Sequence, residues 1–154
     1  MAYDNGAIVR RLFNEAWTKG DLGVVDELVD GKCVSRDPIM GETTGTEALK
    51  AQIQGYRSAF PDLRLDINDL VVSADKVVAV WTATGTHRGA VFGEAPTGKA
   101  FSVRGIDVHR IRNGKIVEHG GQWDTLKFLQ NIGLVRQDVL APKATAARAE
   151  QLTR

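Results

Sequence analysis

Two aspartates and two histidines, Asp107, His109, His119 and Asp124, sit in the stretch AFSVRGIDVHRIRNGKIVEHGGQWD that runs from Ala100 to Asp124. Strand alternation puts Val103, Gly105, Asp107, His109 and Ile111 on one face, with Ser102, Arg104, Ile106, Val108 and Arg110 on the other. A carboxylate beside a glycine leaves room for a ligand. In an apolar enclosure desolvation raises its pKa, which makes Asp107 a usable general base near neutral pH. The competing account is a structural ion pair with Arg104, Arg110 or Arg112. His119, in EHGGQ, shares its face with Val117 and Gly121, and its pKa suits proton shuttling; a packed histidine bonded to a backbone carbonyl is the alternative. Asp107 and His119 are the expected catalytic pair.

Trp17, Trp81, His87, His109, Trp123 and Asp124 are the expected substrate contacts. Core packing would account for each tryptophan without any function, and capping of a last helix would account for Asp124. His87, in GTHRG, is expected at the pocket rim or in a structural role, and Asp37 before Pro38 reads as a turn residue that could reach the pocket mouth. Cys33 is expected to be a buried strand residue, with nothing to activate its thiol. His87, His109 and His119 lie on different strands or faces and lack HExxH spacing, so no catalytic metal is expected. No glycine loop opens a helix, which argues against a nucleotide.

The elements that must position these groups follow from periodicity. Asn113-Gly114 between alternating apolar residues is a hairpin signal, because both tolerate the positive φ of a type I′ turn. Ile8, Val9, Leu12, Phe13, Ala16 and Trp17 mark an amphipathic helix from Asn5 to Lys19, ended by Gly20. Asp21 caps a shorter helix through Val29, and a strand from Cys33 to Asp37 stops at Pro38. Thr46 caps a third helix carrying Leu49, Ile53, Tyr56 and Phe60, closed by Pro61. The period then changes to two: strands through Leu63–Val72 and Lys76–His87, a glycine-rich loop over Arg88–Lys99, the two strands on either side of Asn113-Gly114, and a helix from Thr125 to Asn131. Helices, then long strands, then one helix give an α+β domain: a cone-shaped, curved antiparallel sheet wrapped around three N-terminal helices, with a C-terminal helix and a pocket between the layers. Residues 1–134 form this domain, and 135–154 a helical or disordered tail.

Composition narrows the function. With 43% hydrophobic and 25% charged residues the 154-residue chain is an ordinary globular domain. A formal charge of +1 with scattered Lys and Arg favours neither nucleic acid nor an anionic membrane as partner. One cysteine allows no intrachain disulfide, no apolar run approaches a membrane span, and MAYDNGAIVRR lacks the layout of a signal peptide, so the expectation is cytoplasmic.

The phrases IVRRLFNEAWTKGDLGVVDEL, AFPDL, GTHRG, PTGKAFSVRGIDVHRIRNGKIVEH and WDTLKFLQNIGL, which together span most of residues 8–134, resemble the SnoaL-like polyketide cyclases of the nuclear-transport-factor-2-like superfamily. The resemblance implies a cone-shaped α+β barrel, a homo-oligomer (dimer or tetramer), no metal or organic cofactor, and acid/base chemistry beside a carbonyl. It places the family's key aspartate at Gly121 and a cyclase histidine at Asp107, and it retains the histidine at His119. The first expectation is therefore a cofactor-independent enzyme acting on a small hydrophobic carbonyl or polyketide-like substrate, by aldol cyclisation, isomerisation or lysis. The second is epoxide hydrolysis, for which Arg104 and Asp107 stand three apart where the related hydrolases have an Arg-x-Asp spacing. The third is a non-catalytic ligand-binding or protein-interaction module with a vestigial pocket.

Overall fold

The structure, a computed structural model, describes residues 3–141. The first helix begins at a real cap: the Asp4 carboxylate accepts from the Ala7 N–H (2.9 Å), and α1 runs Asn5–Arg11. The single helix expected to Lys19 is in fact two. From Leu12 to Thr18 the chain widens into a π-helical run, with the Lys19 N–H bonded back to the Asn14 carbonyl (3.1 Å). π-Helical turns of this kind concentrate at functional sites, and this one carries Leu12, Phe13 and Trp17 to the pocket wall. Its last carbonyls are taken by the Arg57 guanidinium, which donates to Trp17 O (2.9 Å) and Thr18 O (2.6 Å).

Helix α2 spans Gly23–Leu28, and strand β1 (Val29–Asp37) starts four residues before the expected position. Strand β2 (Gly41–Thr44) returns antiparallel to it. Helix α3 covers Thr46–Ala59, with Gly45 at φ +95° rather than Thr46 as its cap residue. A meander follows: β3 (Arg64–Ser73), β4 (Lys76–Thr86), β5 (Ala100–Arg112) and β6 (Lys115–Trp123). Helix α4 (Thr125–Asn131) closes it, capped by Asp124, whose carboxylate accepts from the Lys127 N–H (2.9 Å). The β5–β6 turn has Asn113 at φ +49° and Gly114 at φ +75°, as the Asn-Gly signal requires.

The six strands form one curved sheet in the order β2-β1-β6-β5-β4-β3. It is mixed, not purely antiparallel, because β1 pairs with β6 in parallel. Local turn signals fix only neighbours in sequence, and β1–β6 is a pairing of segments some 80 residues apart, which no hairpin logic reaches. The helices pack on the concave face. Phe60, Phe101 and Phe128 interlock edge to face there, with centroids 4.9–5.5 Å apart. Residues 135–141 form turns rather than a helix, and the rest of the expected tail, 142–154, lies outside the described residues.

Candidate active site

On β5 burial alternates as the sequence pattern demands: Phe101, Val103, Gly105 and His109 are buried and Asp107 is partly so, while Ser102, Arg104, Ile106 and Val108 face out. On β6 a bulge leaves Val117 without a partner, since Arg110 pairs with Glu118 and Ile111 with Ile116. That irregularity moves Val117 off the face expected for it and lets Ile116 and His119 both be buried. Beyond it Asp107 stands opposite Gly121, and His109 opposite His119.

The Asp107–Gly121 pair is the centre of the site. A Cβ at position 121 would collide with Asp107 Oδ1 and with the Ile106 carbonyl oxygen. The missing side chain on β6 is thus the space into which the β5 carboxyl folds. Burial drives the Asp107 pKa up to about 6, partly offset by the Trp81 indole N–H and reinforced by the negative charge of Asp37. Among the described residues no arginine pairs with it. Arg110 pairs instead with Asp75 (3.2 Å) and approaches Glu118, and Arg104 is exposed on the outer face.

His119 is held by Ser35, delivered across the parallel β1–β6 pair, with Ser35 Oγ 2.8 Å from His119 Nε2. His109 stacks on His119 with centroids 5.7 Å apart and planes 9° off parallel, and Phe13 meets it edge-on. Burial lowers the pKa of His119 to about 4 despite the nearby Asp37, and that of His109 to about 3 by burial and the proximity of His119. Both imidazoles are neutral at physiological pH. Neither ring nitrogen of His109 has a hydrogen-bond partner.

Asp37, expected as a turn residue, does two jobs. Its Oδ1 accepts from the Ile39 and Met40 N–H groups (2.8 Å each), closing the turn after β1, and its Oδ2 accepts from Trp123 Nε1 (3.2 Å). The pocket is lined by Phe13, Trp17, Ser35, Asp37, Tyr56, Trp81, Val103, Phe101, Asp107, His109, His119, Trp123 and Phe128, among others. Its free volume is about 90 Å³. At roughly 10–15 Å³ of such volume per water, that is room for about seven waters.

Of the residues expected from sequence, the fold brings Trp17, Trp81, Asp107, His109, His119 and Trp123 together in this pocket. Two lie elsewhere. His87 is fully buried away from the pocket lining, its Nδ1 accepting from the Thr97 N–H (3.1 Å) and its ring against Phe60 (centroids 5.5 Å apart), so it anchors the glycine-rich loop. Asp124 caps α4 and is not in the lining. Ser35 and Tyr56 were not singled out from sequence. Ser35 occupies an inward position of β1, a hint that alternation from Cys33 would have given, whereas nothing local distinguishes Tyr56 from an ordinary helix-face aromatic. Cys33 is buried, with its thiol pKa pushed up to about 11, as befits an inert strand residue.

The family described as SnoaL-like polyketide cyclase matches residues 7–132. The chain belongs to that family. No curated protein matches the sequence. Among solved structures the SnoaL-like chain is similar to TsrD from Streptomyces laurentii, at 31% identity over 87% of this chain and 100% of that one, with a TM-score of 0.75. It is also similar to IdmH from Streptomyces antibioticus, a candidate polyketide cyclase, at 28% identity over 85% and 99% of the two chains, TM-score 0.75. A third is AclR from Streptomyces galilaeus, a candidate hydroxylase, at 26% identity over 95% and 89%, TM-score 0.75. The relatives thus share the scaffold while their names differ in reaction, as expected where function resides in a few pocket residues. No helix among the described residues is long and apolar enough to cross a membrane.

Proposed function

We propose that this SnoaL-like protein is a cofactor-independent enzyme that moves protons beside the carbonyl of a flat, hydrophobic, polyketide-like substrate, with Asp107 as the base. The observation that carries this is the Asp107 carboxyl, folded into the space left by Gly121 in an apolar pocket, with its pKa raised to about 6. Such a group is largely ionised at pH 7 yet basic enough to accept a proton from carbon. The family resemblance implies an aspartate on the last strand, at the position of Gly121 on β6. Here a carboxylate from the facing residue of β5 fills that space, so the base is supplied by the neighbouring strand.

His119 acts as a neutral hydrogen-bonding group rather than a charged acid, because its pKa is depressed to about 4. Ser35 on its Nε2 fixes the orientation of the ring. The aromatic walls of Trp17, Phe13 and Trp123 suit a planar ligand. Epoxide hydrolysis fits less well, since Arg104 lies exposed on the outer face of the sheet while Asp107 lines the pocket. A homo-oligomer working in the cytoplasm belongs to the same proposal; the exposed Ile106 and Val108 on the outer face of β5 are apolar surface a second copy would cover.

The test is deuterium exchange at the α-carbon of 2-tetralone, a small bicyclic enolisable ketone, followed by proton NMR. Exchange should rise with pH through a single ionisation near 6, and Asp107→Asn should slow it by about 10²–10⁴-fold, the usual worth of a positioned general base. Undiminished exchange in Asp107→Asn would sink the proposal.

A further inference from the structure

Two hydrogen-bond donors in the pocket wall make no fully formed hydrogen bond, although one of them, the Trp81 indole N–H, acts on the Asp107 carboxyl at longer range. Trp81 is 6% exposed, and its indole N–H is buried without a partner. The Tyr56 hydroxyl, on α3 across the pocket, is likewise buried and unpartnered, and burial together with Asp37 keeps it protonated. Leaving such groups unpaired costs free energy comparable to a lost hydrogen bond, and native proteins do so rarely. Where the orphan lines a ligand pocket, a ligand oxygen is the natural acceptor.

Trp81 is held in place for this. On β4 it stands opposite Gly105 of β5, and a Cβ at Gly105 would run into Cζ2, Cε2 and Cη2 of the indole. The glycine therefore lets the ring lie flat against the strand, with Asp107 two positions further along β5 on the same face. The N–H is near enough to favour the ionised form of the Asp107 carboxyl. A base and a donor held side by side are the two contacts that an enolisable carbonyl requires, one at the carbon and one at the oxygen.

We propose that Trp81 Nε1–H binds the carbonyl oxygen of the substrate while Asp107 acts on the adjacent carbon, and that Tyr56 O–H binds a second oxygen on the α3 side. The substrate class is thus a planar ketone or quinone-like compound with oxygens at two separate edges. This rests on Asp107 as base. The Asp107 carboxylate takes the α-proton and becomes the neutral acid. The C–H electron pair forms the new C=C bond, and the carbonyl π pair moves onto oxygen, where the indole N–H stabilises the enolate. Return of the proton, or of a deuteron in D₂O, to carbon restores the ketone and the carboxylate.

Two readouts test the assignment. For 2-tetralone exchange, Trp81→Phe should lower kcat about 100-fold with little change in KM, the behaviour of a donor aimed at developing charge. Tyr56→Phe should weaken the binding of a ketone bearing a second oxygen, 6-hydroxy-2-tetralone, about fivefold more than it weakens the binding of 2-tetralone; equal weakening of the two would remove Tyr56 from the assignment. The second readout is ¹³C NMR of 2-tetralone labelled at the carbonyl and bound to Asp107→Asn protein, where no turnover intervenes. The carbonyl resonance should move downfield on binding and return to its free position when Trp81→Phe is added. Because Phe is smaller and could loosen the fold, the indole is also replaced by the isosteric benzothiophene, which removes only the N–H. Retention of the downfield shift and of kcat in both forms overturns the proposal, as does a carbonyl resonance that never shifts. Loss of the shift in these variants, with exchange intact in Asp107→Asn, would leave the oxygen site standing and remove Asp107 as its base.

Discussion

Asp107→Asn should make the protein more stable at neutral pH while abolishing its activity. The carboxyl has an ordinary value of 3.8 in the unfolded chain and about 6 in the folded one. A folded pKa raised above the unfolded one means the native state holds its proton between these values while the unfolded chain has released it. The stabilising preference for the protonated form is complete below 3.8 and is lost as pH rises through 6. At about 1.4 kcal/mol per pH unit, the ionised carboxylate leaves the native state about 3 kcal/mol less favourable above pH 6 than an unperturbed group would. Asparagine has no such titration. The stability difference between variant and wild type, taken from urea unfolding with matched slopes, should therefore grow by about 2 kcal/mol between pH 4.5 and pH 7, whatever the asparagine itself contributes to packing. That comparison cancels every other titrating group common to the two proteins. A difference that stays flat with pH would refute the placement of this carboxyl in a desolvated pocket, and with it the reason Asp107 makes a competent base.

The stacked histidines carry the opposite sign. Their folded pKa values are depressed to about 3 and 4, so the stability they contribute is complete above 6.5 and lost as pH falls toward 4. His109→Leu should remove one of the two, making acid destabilisation between pH 6 and 4 shallower by about 1.4 kcal/mol per unit. At pH 7 the same change should be neutral or stabilising by about 1–2 kcal/mol in thermal melts, since both ring nitrogens of His109 are unpartnered. Gly121→Ala places a methyl on Asp107 Oδ1 and the Ile106 carbonyl; calorimetry should show a loss of about 2 kcal/mol or more, and exchange should fall with it. Asp124→Ala should cost about 1 kcal/mol through the lost α4 cap and leave the 2-tetralone exchange rate of the folded protein unchanged.

Much of this was legible in the chain itself. The period-two pattern of β5 placed Asp107 and His109 inward, Asn113-Gly114 set the hairpin, and Asp124 announced its helix, because each depends on residues a few positions apart. The switch from helical to strand periodicity gave the α+β layout, and aromatic type alone made the three pocket tryptophans candidates for a wall against a flat ligand. What tertiary structure alone decided is which distant groups meet. The parallel β1–β6 pair, joining segments some 80 residues apart, brings Ser35 to His119, and the turn after β1 carries Asp37 to Trp123. The bulge at Val117 sets the β6 register, so that the absent side chain of Gly121 becomes the seat of a carboxyl from the next strand. Sequence signals act over one turn or one pleat, whereas desolvation, which gives Asp107 its basicity and keeps both histidines neutral, exists only once the helices have closed over the concave face of the sheet.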